Sequence, residues 1–386
     1  MHHRIYFSVC GEGYGHSSRA MAVAGMLSDS GADVLMGGYG YVLSRLKNDF
    51  NSVEVEREFE MVGNEGAFDL KATILKSKNT ALFFSRIISD EKMIIEDFNA
   101  TCVVADGRNA AVICALKLGI PCVLISNQTS IEPFFRDSNF VLKLIGKPVD
   151  MTLKTLTALT ENVLIPDFPA PDTVCINTLS RNRNIMKKQI FVGPVVSEKF
   201  RAQGNNVEID MPFVLALLGG HSYRLPIFEG ILKIADRFPD MKFLIFTKFK
   251  SENIPKNVIL SEFAEDISAY MNAAELIVTQ AGHSTAMEIM TLGKPSLLIP
   301  DKGQIEQESN AARMRELGVC ETLDYDSLSP ESLFEKIHIL LKNGNYRERA
   351  GQYSEMAKRM NGTKRAADII LELSERVQCY DVKNDT

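Results

Sequence analysis

Two glycine loops, one in each half of the chain, constrain its fold more than any other feature. The first, Gly11-Glu12-Gly13-Tyr14-Gly15-His16-Ser17-Ser18-Arg19, follows the apolar run Arg4-Ile5-Tyr6-Phe7-Ser8-Val9-Cys10. The second, Gln280-Ala281-Gly282-His283-Ser284-Thr285, follows Glu275-Leu276-Ile277-Val278-Thr279. Each reads as a buried strand, a glycine turn and the start of a helix. Such a unit is an anion site, because free backbone N–H groups and the positive end of the helix dipole converge on one point. Two such units imply two α/β domains facing each other across a cleft, one wall for a nucleotide-linked substrate and the other for its reaction partner.

A chain of 386 residues is long for a single core, which also points to two domains. The net charge of −6 excludes bulk nucleic-acid binding, since a phosphate backbone requires a basic face. Seven cysteines are scattered without a Cys-x-x-Cys pair, several inside apolar patterns, which fits reduced thiols and a cytoplasmic location. Met1-His2-His3-Arg4 runs straight into a strand, so no signal peptide is expected. No stretch approaches the roughly 20 apolar residues of a membrane span.

Strand and helix alternate through the first half. Ile5–Val9, Ala32–Met36, Val53–Val55, Cys102–Ala105 and Pro121–Ser126 read as strands; Ser17–Leu27, Lys71–Phe98 and Asn109–Leu118 read as helices. Short loops between them predict a parallel sheet covered on both faces. From Asp167 to Asp210 prolines at 166, 169, 171, 194 and 212 and the polar Gly204-Asn205-Asn206 break the pattern. The alternation then resumes through Phe213–Leu218, Leu225–Asp236, Lys242–Thr247, Val258–Leu260, Ile267–Asn272, Glu275–Thr279, Thr285–Thr291 and Ser296–Pro300. The expected division is 1–193, a linker at 194–211, 212–362, and a last helix over 363–386 that returns to the first domain.

Glu288 sits one turn into the helix opened by the second loop. A carboxylate there can accept two hydroxyls of a ribose while the helix end holds phosphates; the macrodipole alone also favours Glu in a first turn. Glu306-Gln307 opens a further helix and can take sugar hydroxyls, or be a solvated helix start.

These residues carry a resemblance. Gly282, Ser284, Thr285, Glu288, Gly293, Pro295, Pro300, Gln307 and Asn310 follow in order the donor-binding signature of GT-B glycosyltransferases. It is similar to that of the UDP-glycosyltransferases of plants and animals, and of the bacterial transferases that add N-acetylglucosamine to a lipid-linked cell-wall precursor. The family His that contacts a phosphate falls on Gln280, and the family Trp on His283. Val258–Ala264 resembles the segment that reads the uracil edge, which implies main-chain roles for Phe263 and Ala264. Leu218-Gly219-Gly220-His221-Ser222 resembles the loop that covers the diphosphate.

The first loop resembles the glycine loop of the same families, and places the family's base on His16, with Gly13, Gly15, Ser17 and Arg19 in a phosphate or acceptor loop. Thr101–Gly107 followed by Leu118–Pro121 places the paired Asp on Asp106. The chemistry has its own logic. A hydroxyl acceptor must lose its proton as it attacks, a His can take it near neutrality, and a carboxylate on the other ring nitrogen fixes the tautomer and stabilises the imidazolium. The carboxyl ends of parallel strands are where α/β sheets place such groups.

No Asp-x-Asp is present, and a GT-B enzyme needs no metal when helix dipole, amides and polar side chains steady the leaving diphosphate. No metal and no cofactor are therefore expected, with a UDP-sugar as co-substrate. The segment 132–159 mixes Phe134, Phe135, Phe140, Leu144 and Ile145 with Lys143, Lys147 and Lys154. It reads as core with a solvated lysine face, or as the apolar, basic lip that a membrane-bound acceptor requires. The resemblance implies a GT-B fold of two Rossmann-like domains and an inverting transfer from a nucleoside-diphosphate sugar to a hydroxyl. Two alternatives stay open: a sugar-nucleotide 2-epimerase of the same fold, and a non-catalytic sugar-nucleotide-binding subunit.

Overall fold

The computed structural model describes residues 2–12, 14–58, 63–64, 67–68, 70–135, 140–202, 207–264 and 266–384. Gly13 of the first loop and the polar stretch 204–206 lie outside these residues.

The chain divides into two units. The first comprises Met1–Val62, Asp69–Ser197 and Met360–Thr386; the second comprises Gly63–Phe68 and Glu198–Arg359. The chain thus passes into the second unit inside the 194–211 stretch.

The first unit contains β1 (Arg4–Val9), α1 (Tyr14–Asp29), β2 (Asp33–Gly38), α2 (Gly40–Asp49) and β3 (Ser52–Glu54). The small ladder of β4 (Gly63–Asn64) and β5 (Ala67–Phe68), counted with the second unit, interrupts it. It resumes with α3 (Leu70–Asp97), β6 (Cys102–Asp106), α4 (Asn109–Leu118), β7 (Cys122–Ile125), α5 (Glu132–Phe135), α6 (Phe140–Leu159), β8 (Asn162–Ile165), α7 (Arg183–Met186) and β9 (Gln189–Phe191). Its sheet runs β3-β2-β1-β6-β7-β8-β9 with every pairing parallel. Both faces are covered, so β1 is a continuous apolar run rather than an alternating one. Ile5, Phe7 and Val9 pack toward α1 and α2; Tyr6 packs toward α3 and α4. Chain order reverses between β1 and β6, and Val9 lies opposite Asp106 in the register. The first glycine loop therefore leaves the sheet beside Asp106, at the switch point where such sheets bind ligands.

The second unit contains β10 (Phe213–Gly219), α8 (Leu225–Ile234), β11 (Lys242–Thr247), β12 (Val258–Ser261), α9 (Ile267–Ala273), β13 (Leu276–Thr279), α10 (His283–Leu292), β14 (Ser296–Leu298), α11 (Ile305–Glu316), β15 (Cys320–Thr322), α12 (Pro330–Lys342) and α13 (Gly344–Met360). Its sheet runs β12-β11-β10-β13-β14-β15, again parallel throughout, with its switch point between β10 and β13. The two loops of the candidate donor site, after Leu218 and after Thr279, leave the sheet at these two strands.

The last helix, α14 (Gly362–Asn384), belongs to the first unit. Ala366, Ala367, Ile370 and Leu373 join the core formed by Ala20, Val23, Ala24 and Leu27 of α1. Ser374 is hydrogen-bonded to Thr101 and His3, at 2.6 and 3.0 Å.

The sequence pattern missed five short strands: β4, β5, β8, β9 and β15. Asn162–Ile165 lies between a long helix and a proline-rich stretch, and the other four have two or three residues each, too short to show a period.

Candidate active site

The first unit brings together the two residues that the resemblance pairs. His16 stands at the start of α1, and its Nδ1 lies 2.6 Å from Asp106 Oδ1. The Asp106 side chain is fully buried, while that of His16 is 30% exposed. A carboxylate oxygen so close to a bare ring nitrogen would set lone pair against lone pair, so the geometry calls for Nδ1–H donating to Asp106. Nε2 is then the basic nitrogen. The turn after Asp106 makes room for the ring. Gly107 has φ +70°, and a Cβ there would stand 2.8 Å from Cys10 Cβ and 3.0 Å from His16 Cε1. Burial pushes the Asp106 carboxyl upward, but the charges of Arg19 and His16 outweigh it and hold the group below the usual range.

Arg19 was assigned to a phosphate or acceptor loop; its guanidinium is instead turned inward. Nε donates to Asp106 Oδ2 at 2.6 Å, Nη2 to Asp106 Oδ1 at 2.5 Å, and Nη1 to Asn127 Oδ1 at 2.7 Å. Ser17 is buried, with Arg45 Nη1 3.4 Å from its hydroxyl, and Gly15 lies within the first turn of α1. Asn127, just beyond β7, carries no motif and was not read from the sequence.

A second buried network lies behind the dyad. Arg108 Nη2 donates to Glu91 Oε2 at 2.7 Å and Nε to Ser8 Oγ at 3.2 Å, while Tyr6 OH donates to Glu91 Oε1 at 3.1 Å. Glu58 accepts the N–H groups of Asn109 and Ala110 at 2.9 and 2.8 Å, which caps α4. Beside this network a pocket of about 600 Å³ is lined by Tyr39, Glu54, Glu56, Arg57, Ile87 and Asp90 among others. Tyr39 connects it to the first loop: its hydroxyl is 3.5 Å from Cys10 Sγ, and its ring packs on Gly11.

In the second unit, α10 opens directly after Gln280-Ala281-Gly282, with Gly282 as its N-cap. Ser284, Thr285 and Glu288 lie half-buried on its first turns, and His283 is buried. Ala281 is held at φ +70°, a left-handed conformation that costs an alanine about 1–2 kcal/mol. The buried Asn310 of α11 secures it, donating from Nδ2 to the Ala281 carbonyl at 3.1 Å. The backbone is thus shaped for the loop and not merely tolerated by it. Gln280 is 7% exposed, and its amide nitrogen has no hydrogen-bond partner among the described residues. An orphaned buried donor at a helix N-terminus suits an anionic oxygen.

Gly219 takes φ +61° at the end of β10, and Gly220 lies against Lys248. His221 stacks on Tyr223; partial burial and then the Arg224 charge push its pKa below the ordinary value. Beyond β12, Phe263 is 75% exposed, its carbonyl accepts from Ser261 Oγ at 3.0 Å, and Ala264 is half-buried. Gln307 is held by Asp301. Its Oε1 accepts from the Asp301 N–H at 2.8 Å and its Nε2 lies 3.3 Å from Asp301 Oδ2. Arg224 grips the same carboxylate at 2.9 and 2.5 Å. Neither Arg224 nor Asp301 was singled out from the sequence, although Asp301 directly follows Pro300 near the end of β14, where a site residue belongs. Glu306 is half-buried in the first turn of α11.

In the segment 132–159 the side chains of Val141, Leu142 and Ile145 lie outside the described residues, and the described ones match the core reading only in part. Phe135 is buried, but on α6 Phe140, Leu144 and Met151 are 80%, 62% and 72% exposed. Their spacing puts them on one helix face, with the exposed Lys143 and Lys147 beside them, while Gly146, Asp150 and Thr157 turn inward. Lys154 is paired with Asp150 at 2.5 Å. Among the described residues no helix is long and apolar enough to cross a membrane.

Known proteins resemble this chain in sequence and fold. Residues 239–371 match the glycosyltransferase family 28 C-terminal domain. An uncharacterized glycosyltransferase of Methanosarcina mazei is 32% identical over 377 residues, covering 95% of this chain and 97% of its own length. A UDP-N-acetylglucosamine–N-acetylmuramyl-(pentapeptide) pyrophosphoryl-undecaprenol N-acetylglucosamine transferase of Bacillus cytotoxicus is 22% identical, covering 88% and 96%. The crystal structure of the kitacinnamycin glycotransferase superposes with a TM-score of 0.74 at 18% identity, covering 96% of this chain and 99% of that one. MurG of Acinetobacter baumannii superposes with a TM-score of 0.66 at 18% identity and the same coverage. Two parallel sheets of Rossmann-like order, a glycine loop at each switch point and full-length relatedness lead to one statement: this chain is a GT-B glycosyltransferase and belongs to the family of the Methanosarcina enzymes, with a family 28 C-terminal domain.

Proposed function

We propose that the enzyme moves a sugar from a nucleoside-diphosphate sugar, UDP-linked in the first instance, to a hydroxyl acceptor with inversion at the anomeric carbon. The observation that carries this reading is the His16–Asp106 pair: a buried carboxylate 2.6 Å from one ring nitrogen of a partly exposed histidine. In the reaction the acceptor O–H gives its proton to His16 Nε2, and the oxygen forms its bond to the anomeric carbon. The bond from that carbon to the diphosphate breaks on the opposite side, and the diphosphate leaves with the electron pair. Asp106 stabilises the imidazolium that forms. The second unit binds the donor, with the start of α10 and the Gln280 amide on the diphosphate and Glu288 on the ribose. In this reading the leaving group needs no metal.

The pocket beside Tyr39 is the acceptor's recess. Glu54, Glu56 and Asp90 outnumber Arg57 on its wall, which favours a neutral or basic hydroxyl-bearing group. The exposed face of α6 rests on an anionic membrane surface, with Phe140, Leu144 and Met151 in the interface and Lys143 and Lys147 against headgroups. This suits an acceptor carried on a lipid and handled at the cytoplasmic face, with the hydroxyl-bearing group itself neutral or basic.

The test is transfer from UDP-N-acetylglucosamine to a panel of hydroxyl acceptors. His16→Ala should lower turnover by about 100-fold or more, the worth of a positioned base. Glu288→Ala should weaken UDP binding by about 1–3 kcal/mol in calorimetry. Full turnover in the His16 variant removes the base assignment, and conversion of the donor to its 2-epimer without any acceptor favours the epimerase reading.

A further inference from the structure

Asp106 offers two oxygens, and among the described residues only two side chains bond them: His16 at Oδ1, and Arg19 at both. The backbone of Asp106 is anchored separately, since its carbonyl accepts from the Cys10 N–H at 2.9 Å. That bond leaves the carboxylate free to turn about its last torsion, which is broad for Asp. The planar guanidinium removes this freedom, because a two-point fork fits a carboxylate in one plane only. Arg19 lies one helical turn after His16 on α1, so both project from the same face. Its own position is fixed by Asn127 Oδ1 at 2.7 Å, and it is 4% exposed. Nη2 and His16 Nδ1 lie 3.1 Å apart because two donors converge on the single acceptor Oδ1.

We propose that Arg19 is the positioning residue of the dyad: its fork holds the Asp106 carboxylate in the plane where Oδ1 accepts from His16 Nδ1–H, and this keeps Nε2 as the proton-accepting nitrogen. The proposal rests on the base assignment above. It departs from the glycine-loop reading, which placed Arg19 in a phosphate or acceptor loop. It also explains why an arginine rather than a lysine occupies the site: one ammonium cannot grip two carboxylate oxygens and Asn127 together.

The experiment compares Arg19→Ala and Arg19→Lys with the parent in the transfer assay, without and with added guanidinium chloride at millimolar levels. The His16 ring nitrogens are followed by NMR in nitrogen-15 histidine-labelled protein, with His16→Gln for assignment. The expected result is a fall in kcat of about tenfold or more in Arg19→Ala, part of a base's usual contribution. The KM for the UDP-sugar should stay near the parent's, since the lost interaction acts only in the reaction step. Guanidinium should restore part of the rate, Lys should fall in between, and the His16 tautomer should be Nδ1–H in the parent and mixed in Arg19→Ala. A loss through general destabilisation would neither be rescued by guanidinium nor shift the tautomer. Parent kcat in Arg19→Ala, or a loss that guanidinium leaves unchanged with the tautomer intact, overturns the proposal. If Arg19→Ala does not fold, the parent spectrum and Arg19→Lys decide: an Nε2–H tautomer in the parent, or full kcat in Arg19→Lys, overturns it. Failure of the base assignment shows separately, as full turnover in His16→Ala.

Discussion

Replacing Gly107 by alanine tests the link between backbone and chemistry. Gly107 has φ +70° and Gly119, the C-cap of α4, has φ +68°, so an added Cβ meets nearly the same conformational strain at both. The surroundings differ. Nothing stands within 4 Å of a Cβ at Gly119, whereas at Gly107 it would lie 2.8 Å from Cys10 Cβ and 3.0 Å from His16 Cε1. Left-handed alanine costs about 1–2 kcal/mol, and the stiffer unfolded chain returns about 0.4–1 kcal/mol, so Gly119→Ala should lose about 1 kcal/mol. Overpacking against Cys10 and His16 adds about 1–3 kcal/mol, so Gly107→Ala should lose about 2–4 kcal/mol. The ring of His16 is also displaced from Asp106, so Gly107→Ala should lose turnover while Gly119→Ala keeps it. Urea unfolding of the two variants side by side measures the first effect, and the transfer assay measures the second. Equal stability losses, or full turnover in Gly107→Ala, would refute the steric argument.

Two further outcomes follow from charge. The Asp106 pKa is depressed in the folded state, so its contribution to stability is fully present above the unfolded value near about 3.9 and is lost as pH falls through the folded value. The stability that Asp106 contributes over Asp106→Asn should therefore be present above about pH 5 and shrink below about pH 4, as read by denaturant titrations across pH. On α6, Lys143→Glu with Lys147→Glu should abolish sedimentation with anionic vesicles and leave UDP affinity unchanged in calorimetry. A parent protein that does not sediment with such vesicles would instead support a soluble acceptor.

The fold was legible because its strands are buried on both faces and read as apolar runs, and because glycines mark the helix starts. His16 and Asp106 were legible as a pair through the family resemblance, and the register of Val9 with Asp106 gives that pairing its physical basis. Arg19 was visible in the loop, but its direction was not, since a side chain one turn into a helix can point to the ligand or to the core. Asn127, Arg224 and Asp301 carry no spacing signal; they matter through partners far along the chain, such as the 77 residues between Arg224 and Asp301. Glu58, Glu91 and Arg108 are charged residues that a hydropathy pattern assigns to the surface, and only their mutual pairing lets them be buried. On α6 the sequence left the core and lip readings both open, since periodicity alone does not say which face is covered; among the described residues Phe140, Leu144 and Met151 are exposed while Gly146, Asp150 and Thr157 are buried.

The placement of α14 has a consequence for biosynthesis. Ala366, Ala367, Ile370 and Leu373 form part of the wall behind α1, so the first unit cannot close its core until the final segment has left the ribosome. The residues of the second unit, Gly63–Phe68 and Glu198–Arg359, all emerge earlier. The nascent chain therefore carries an N-terminal half whose α1 lacks the cover of α14 until that helix emerges, leaving an apolar surface for chaperones or for aggregation. A ribosome stalled before Gly362 would release a chain whose second unit is complete in sequence and whose first is not. Loss of a single terminal helix would thus be felt first in the half of the enzyme that was made first.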